Sequence, residues 1–159
     1  RNATHTLSAH WFTFSLILFF LAFGLLAAVQ FAPAIRPYAI GTRLSDLQTS
    51  LSLLAAVVMS LGVVNQATAE LRGRNWRITG LTPFWLVSVG ILGGTLALGA
   101  AGVVQTYLER LLMVGYLDTQ TLITPLYSGW VLGLLVFLLG VVLYALGFWS
   151  GRPDNKANS

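Results

Sequence analysis

Four stretches of this chain, at about residues 10–31, 44–67, 81–105 and 124–149, contain between them a single charged residue, Asp46. An α-helix rises about 1.5 Å per residue, so roughly 20 apolar residues cross a hydrocarbon layer about 30 Å thick. Each stretch is long enough. Inside lipid the backbone must close its own hydrogen bonds, which leaves helices or a sealed barrel. The two-residue alternation of a barrel strand is absent, so the sequence predicts an all-α, integral membrane four-helix bundle. Composition agrees, because only 9% of the 159 residues are charged, against about 25% in a soluble domain. So few charges cannot cover a water-facing surface. The whole of 1–159 reads as one membrane domain, with a polar tail at 150–159.

Prolines mark the span boundaries. The first span ends at "APAIRP", where Pro33 and Pro37 halt the helix. "GLTPFW" and "TLITPLY" place Pro83 and Pro125 in the first turns of spans three and four, where a missing N–H is harmless. The first span exceeds the roughly 7–15 apolar residues of a signal peptide, and its basic flank is Arg1 alone, so it reads as a retained helix. The "NAT" sequon at Asn2 is too short a match to carry weight.

Orientation follows from the basic residues. Arg1, Arg72, Arg74, Arg77, Arg152 and Lys156 share one side of the predicted topology, and Arg36, Arg43 and Arg110 the other. The imbalance predicts N- and C-termini on the cytoplasmic face of the membrane. Trp11, Trp76, Trp85 and Trp149 fall near that inner interface, with Tyr127 and Trp130 at the outer end of span four. The net charge of +4 sits beside apolar spans, which fits anionic headgroups and topology rather than nucleic acid.

Between spans three and four, "TYLERLLMVGYLDTQTLI" is too apolar for a free loop, and predicts a short interfacial helix. Span four carries Gly129, Gly133, Gly140 and Gly147 on one narrow stripe, bounded by bulkier leucines. Small residues let helices approach closely. Span three has Gly90 and Gly94, and span two has Ser52, Ala56 and Ser60, so packing within the bundle is the simpler use of all three sets. As candidates for contact with other membrane subunits, the stripe Gly129, Gly133, Gly140 and Gly147 stands beside Tyr107 and Leu111 of the outer segment.

The chemical inventory is short. There are no cysteines, which excludes disulfides, thiolate metal sites and thiol catalysis. The two histidines, His5 and His10, both lie at the start of span one. A bis-histidine haem needs imidazoles on facing helices, so His10 is at most one axial ligand with a partner supplying the other. Met59 and Met113 are poorly placed to complete a set, and Asp46 and Asp118 lie at the opposite face from His10, so no triad forms. No ionisable residue lies deep in a span, where transporters and pumps place theirs. The expectation is a chain with no catalytic residues and no metal or cofactor of its own.

One stretch carries a resemblance. "LQTSLSLLAAVVMSLGVVNQATAELRGRNWR", followed by "LTPFWLVSVGILGGTLALGAAGVVQTYLE", resembles the main subunit of the haem–copper oxidases, in the nitric oxide reductase and cbb-type branch. Leu47, Leu51, Leu53, Leu54, Leu71, Gly73, Arg74, Trp76, Phe84, Trp85 and Leu86 fit that frame, and "RGRNW" and "PFW" are its most specific parts. The resemblance places Gln48 and Ser50 where the family has metal-ligating histidines. It thus implies a relative that has lost its ligands. The expected role is a non-catalytic accessory or scaffold subunit of a respiratory or other energy-converting membrane complex, holding lipid or quinone at its surface. A redox anchor contributing to a b-type haem or quinone site, and a small oligomeric transporter or channel, are the alternatives.

Overall fold

A computed structural model of the chain describes residues 3–27, 31–33, 36–39, 42–71 and 81–150. Every element among them is helical. Helix α1 (Ala3–Phe19) runs directly into a π-helical stretch, Phe20–Leu26, and α2 (Arg36–Ala39) is a single turn. Then come α3 (Arg43–Leu71), α4 (Leu81–Thr106) and α5 (Tyr116–Ser150). Four helices are long and apolar enough to cross a membrane, with candidate spans at Leu7–Gly24, Arg43–Thr68, Leu81–Leu111 and Tyr116–Trp149.

Span four corrects the sequence reading. Its helix starts at Tyr116 rather than near Thr124, so Pro125 is interior and not in the first turn. An interior proline forgoes the bond to the carbonyl four residues back. Nearby hydroxyls engage the backbone around that gap: Thr121 Oγ1 donates to Asp118 O at 2.7 Å, and Thr124 Oγ1 to Gln120 O at 2.8 Å.

The segment between α4 and α5 also differs from expectation. In place of a separate short helix, Tyr107–Leu111 forms a π-helical turn continuous with α4. The chain then reverses over four residues. Val114 N–H donates to Leu108 O at 2.9 Å, and Met113 adopts a φ of 53°. This is the left-handed closure that glycine usually supplies at a helix C-terminus, here made by methionine.

Helix α4 is the centre of the bundle. Half of its span is buried (50%), against 22% of the span formed by α5. Because lipid removes the hydrophobic drive between helices, close packing and interhelical hydrogen bonds must hold them together. The two helices of the α4–α5 hairpin meet on glycine: a Cβ added at Gly133 would lie 2.5 Å from Gly94 Cα, and one at Gly90 2.5 Å from Phe137 N. The α1–α3 pair uses hydrogen bonds instead. Ser15 Oγ donates to Ala55 O at 3.0 Å, and buried Asn65 Nδ2 donates to Ser8 Oγ at 2.8 Å. Rings join the two pairs, with Trp11 edge-on to Phe84 at 5.0 Å and to Tyr144 at 5.8 Å. Tyr144 OH also donates to Leu61 O at 3.1 Å, which ties α5 to α3.

Candidate functional site

The polar residues that open α3 form part of a layer shared by three helices. The first turn of a helix leaves backbone N–H groups without intrahelical partners. Neither Ser45 nor Asp46, the polar side chains of the first turn, caps this helix. The helix begins at Arg43, and the Arg43 N–H donates to Gln105 Oε1 of α4 at 3.1 Å. Ser45 Oγ donates back to Thr42 O at 2.8 Å, while the Asp46 carboxylate pairs with the Arg43 guanidinium at 2.9 Å. Asp46 still lies in the first turn, where the helix dipole favours an anion. Gln105 is 3% exposed and donates onward from Nε2 to Glu109 Oε1 at 3.1 Å. From α5, the Tyr127 ring lies 5.0 Å beneath the Arg43 guanidinium.

A glycine allows this arrangement. A Cβ at Gly102 would sit 2.9 Å from Leu44 N, so only glycine lets the start of α3 settle against α4 at this level. Gln105 is not among the residues that the sequence singles out, yet it caps a helix that starts 62 positions earlier in the chain. Gly102, one turn earlier in α4, was the available signal. The layer anchors helices; it contains no nucleophile–base pair.

At the other end of the bundle, α1 and α4 leave an open groove of about 580 Å³. Its walls include His10, Thr13, Phe14, Phe84, Trp85 and Ser88. The exposed His10 ring stands edge-on to Phe84 at 5.8 Å. Ser88, 4% exposed, has a hydroxyl with no hydrogen-bond partner.

The residues singled out from sequence disperse over the fold. Gln48 and Ser50 are half-buried on α3, and the Gln48 carbonyl accepts from Ser52 Oγ at 2.9 Å. Neither an amide nor a serine hydroxyl ligates haem iron as an imidazole does. Among the described residues no three His, Cys, Asp or Glu side chains are grouped to hold a metal ion. His10 is far along the chain from both and lies on α1, while the side chain of His5 falls outside the described residues. The basic residues behind the predicted orientation, Arg1, Arg72, Arg74, Arg77, Arg152 and Lys156, also lie outside them, as does Trp76.

The glycines of α5 meet the chain's own helix, the simpler use that the sequence gives them. Gly133 faces Gly94 and Gly90, and a Cβ at Gly140 would lie 2.8 Å from Val87 N. Gly129 approaches Ala97 Cβ, where an added Cβ would sit at 3.2 Å. These three glycines face the chain's own α4 and leave no room for a partner there. Gly147 is only half-buried. The open face of α5 is the opposite, bulky one, where Leu132, Leu135, Leu139 and Val142 are exposed.

Tyr107 and Leu111 are exposed, as the contact role expected of them requires. They belong to an apolar tip on the α4–α5 hairpin, together with Leu112, Met113, Tyr116 and Leu117. No protein-family model matches this chain.

Proposed function

We propose that this chain is a non-catalytic accessory or scaffold subunit of a bacterial respiratory or other energy-converting membrane complex. In this reading it is a degenerate relative of the haem–copper oxidase main subunit, with both termini cytoplasmic. It brings no enzyme activity or cofactor of its own, and its neighbours are other integral membrane subunits and lipid.

The observation that carries the reading is the hairpin tip. From Tyr127, beneath Arg43, to Trp149 the helix α5 runs for about 33 Å at 1.5 Å per residue. That length matches a hydrocarbon core of about 30 Å. The layer of Arg43, Asp46, Gln105 and Glu109 then sits at the outer membrane boundary. From Tyr116 to Tyr127, α5 extends about 16 Å further. In this reading, with that layer as the boundary, Met113 (80% exposed) and Leu117 (78%) lie beyond the lipid with their side chains uncovered. A contiguous apolar surface of this kind in water marks a protein contact. The polar layer below it holds the hairpin upright, and the exposed face of α5 extends the same side into the membrane.

The test is co-purification in mild detergent from the native membrane. Met113→Glu with Leu117→Lys should abolish recovery of the partner subunits while leaving insertion and helix content unchanged. Cells lacking the chain should show impaired assembly of the complex, with turnover per intact core preserved. Wild-type recovery by the double variant would refute the contact, and loss of turnover in a fully assembled core would refute the accessory role.

A further inference from the structure

We propose that Met113 is a redox-modification site, at which a peroxide converts the exposed thioether to a sulfoxide and so bars the hairpin tip from its partner. The chemistry concerns this chain alone; the consequence rests on the contact role proposed above for the tip.

The chain places its accessible sulfur at one point. It contains no cysteine and two methionines, Met59 and Met113. Met59, 43% exposed, lies well inside the candidate span Arg43–Thr68, on a helix surface turned to hydrocarbon. Peroxide is polar and hydrogen-bonded in water, so it enters hydrocarbon at a cost. Met113 is 80% exposed and lies between the candidate spans Leu81–Leu111 and Tyr116–Trp149. An oxidant arriving from water meets this sulfur first.

Backbone geometry also sets Met113 apart. Its φ of 53° is a conformation that glycine or asparagine ordinarily fills at a helix end. A methionine there is strained, yet its side chain packs little against the rest of the chain. A residue held in a strained conformation points to a use for its side chain. Leu112, Tyr116 and Leu117 are exposed with it, so the thioether stands among apolar groups.

The step balances without a cofactor. The sulfur lone pair attacks one peroxide oxygen, and the S–O bond forms as the O–O bond breaks. The proton on that oxygen passes to the departing hydroxyl, which leaves as water. Sulfur gives up two electrons, and these reduce the peroxide. A flexible apolar group becomes a polar one. Burying the new oxygen in an apolar contact without a donor should weaken that contact about ten-fold. A partner seated on the tip shields the sulfur, so the modification acts on the unassembled chain.

The experiment treats the full chain in lipid nanodiscs with hydrogen peroxide, and follows sulfoxide at each methionine by peptide mass spectrometry. Met113 should oxidise several-fold faster than Met59. Equal rates, or faster oxidation of Met59, would overturn the site. In cells making the tagged chain, peroxide present during synthesis should lower recovery of partner subunits for wild type and for Met59→Leu. Met113→Leu should give the same recovery with peroxide as without it. A peroxide-dependent loss in Met113→Leu equal to that of wild type would sink the proposal. So would full recovery of partners by chains that carry the Met113 sulfoxide. The untreated Met113→Glu, Leu117→Lys variant separates the two readings. If it keeps its partners, the contact itself is wrong, while the nanodisc rates still decide whether Met113 is the oxidised site.

Discussion

Replacing Gly133 with alanine drives a methyl group into the backbone of α4. The added Cβ would lie 2.5 Å from Gly94 Cα, 2.6 Å from Gly94 N and 2.8 Å from Gly90 O. Carbon atoms are comfortable at about 3.5–4.0 Å, so α5 must withdraw by about 1 Å. The obstructing atoms are helix backbone and cannot rotate aside. A gap of that size forfeits about a quarter to a half of the dispersion attraction of each atom pair along the seam. Overpacking of this kind costs about 1–3 kcal/mol, and three backbone contacts place Gly133→Ala near 2–3 kcal/mol. Two other glycines serve as controls. A Cβ at Gly93 meets nothing within 4 Å, and one at Gly129 meets only Ala97 Cβ, at 3.2 Å. Reversible unfolding in mixed micelles, titrated with dodecyl sulfate and followed by circular dichroism, should rank destabilisation Gly133, then Gly129, then Gly93. If Gly133→Ala unfolds within about 0.5 kcal/mol of Gly93→Ala, α5 is not seated on α4 as described, and the reasoning fails. Leucine at Gly133 and Gly140 would separate the hairpin altogether. Lost co-purification in that double variant would report a broken fold, not a missing partner surface.

Tyr144→Phe removes the bond to Leu61 O but keeps the ring against Trp11; the same titration should show a loss of about 0.6 kcal/mol, and no more than about 2. Gln105→Ala leaves the Arg43 N–H uncapped and should cost about 1 kcal/mol, with faster hydrogen exchange confined to the first turn of α3. Met113→Gly relieves the left-handed conformation at φ 53°. It should raise stability of the isolated chain by about 1 kcal/mol, read in the same assay.

Much of the fold was legible in the residues because lipid is a severe solvent. Four apolar stretches of spanning length, with Asp46 their single charge, have few ways to satisfy their backbone, so helix count and approximate span positions followed from composition along the chain. Boundaries followed less well. Pro125 looks like a helix start, yet α5 begins nine residues earlier, at Tyr116. Hydropathy does not register where a helix extends past its apolar stretch.

What the tertiary structure alone decided is which neighbour each face meets. The glycines of span four could be recognised as a close-approach surface, but a glycine stripe carries no label for its partner. Gly90 and Gly94 opposite Gly133 assign it to α4, which moves the open surface of α5 to Leu132, Leu135 and Leu139. Gln105 and Arg43 are 62 positions apart. Periodicity within a helix reports which residues share a face. Only the arrangement of helices shows that Gln105 caps α3, because the acceptor and the N–H come from distant parts of the chain.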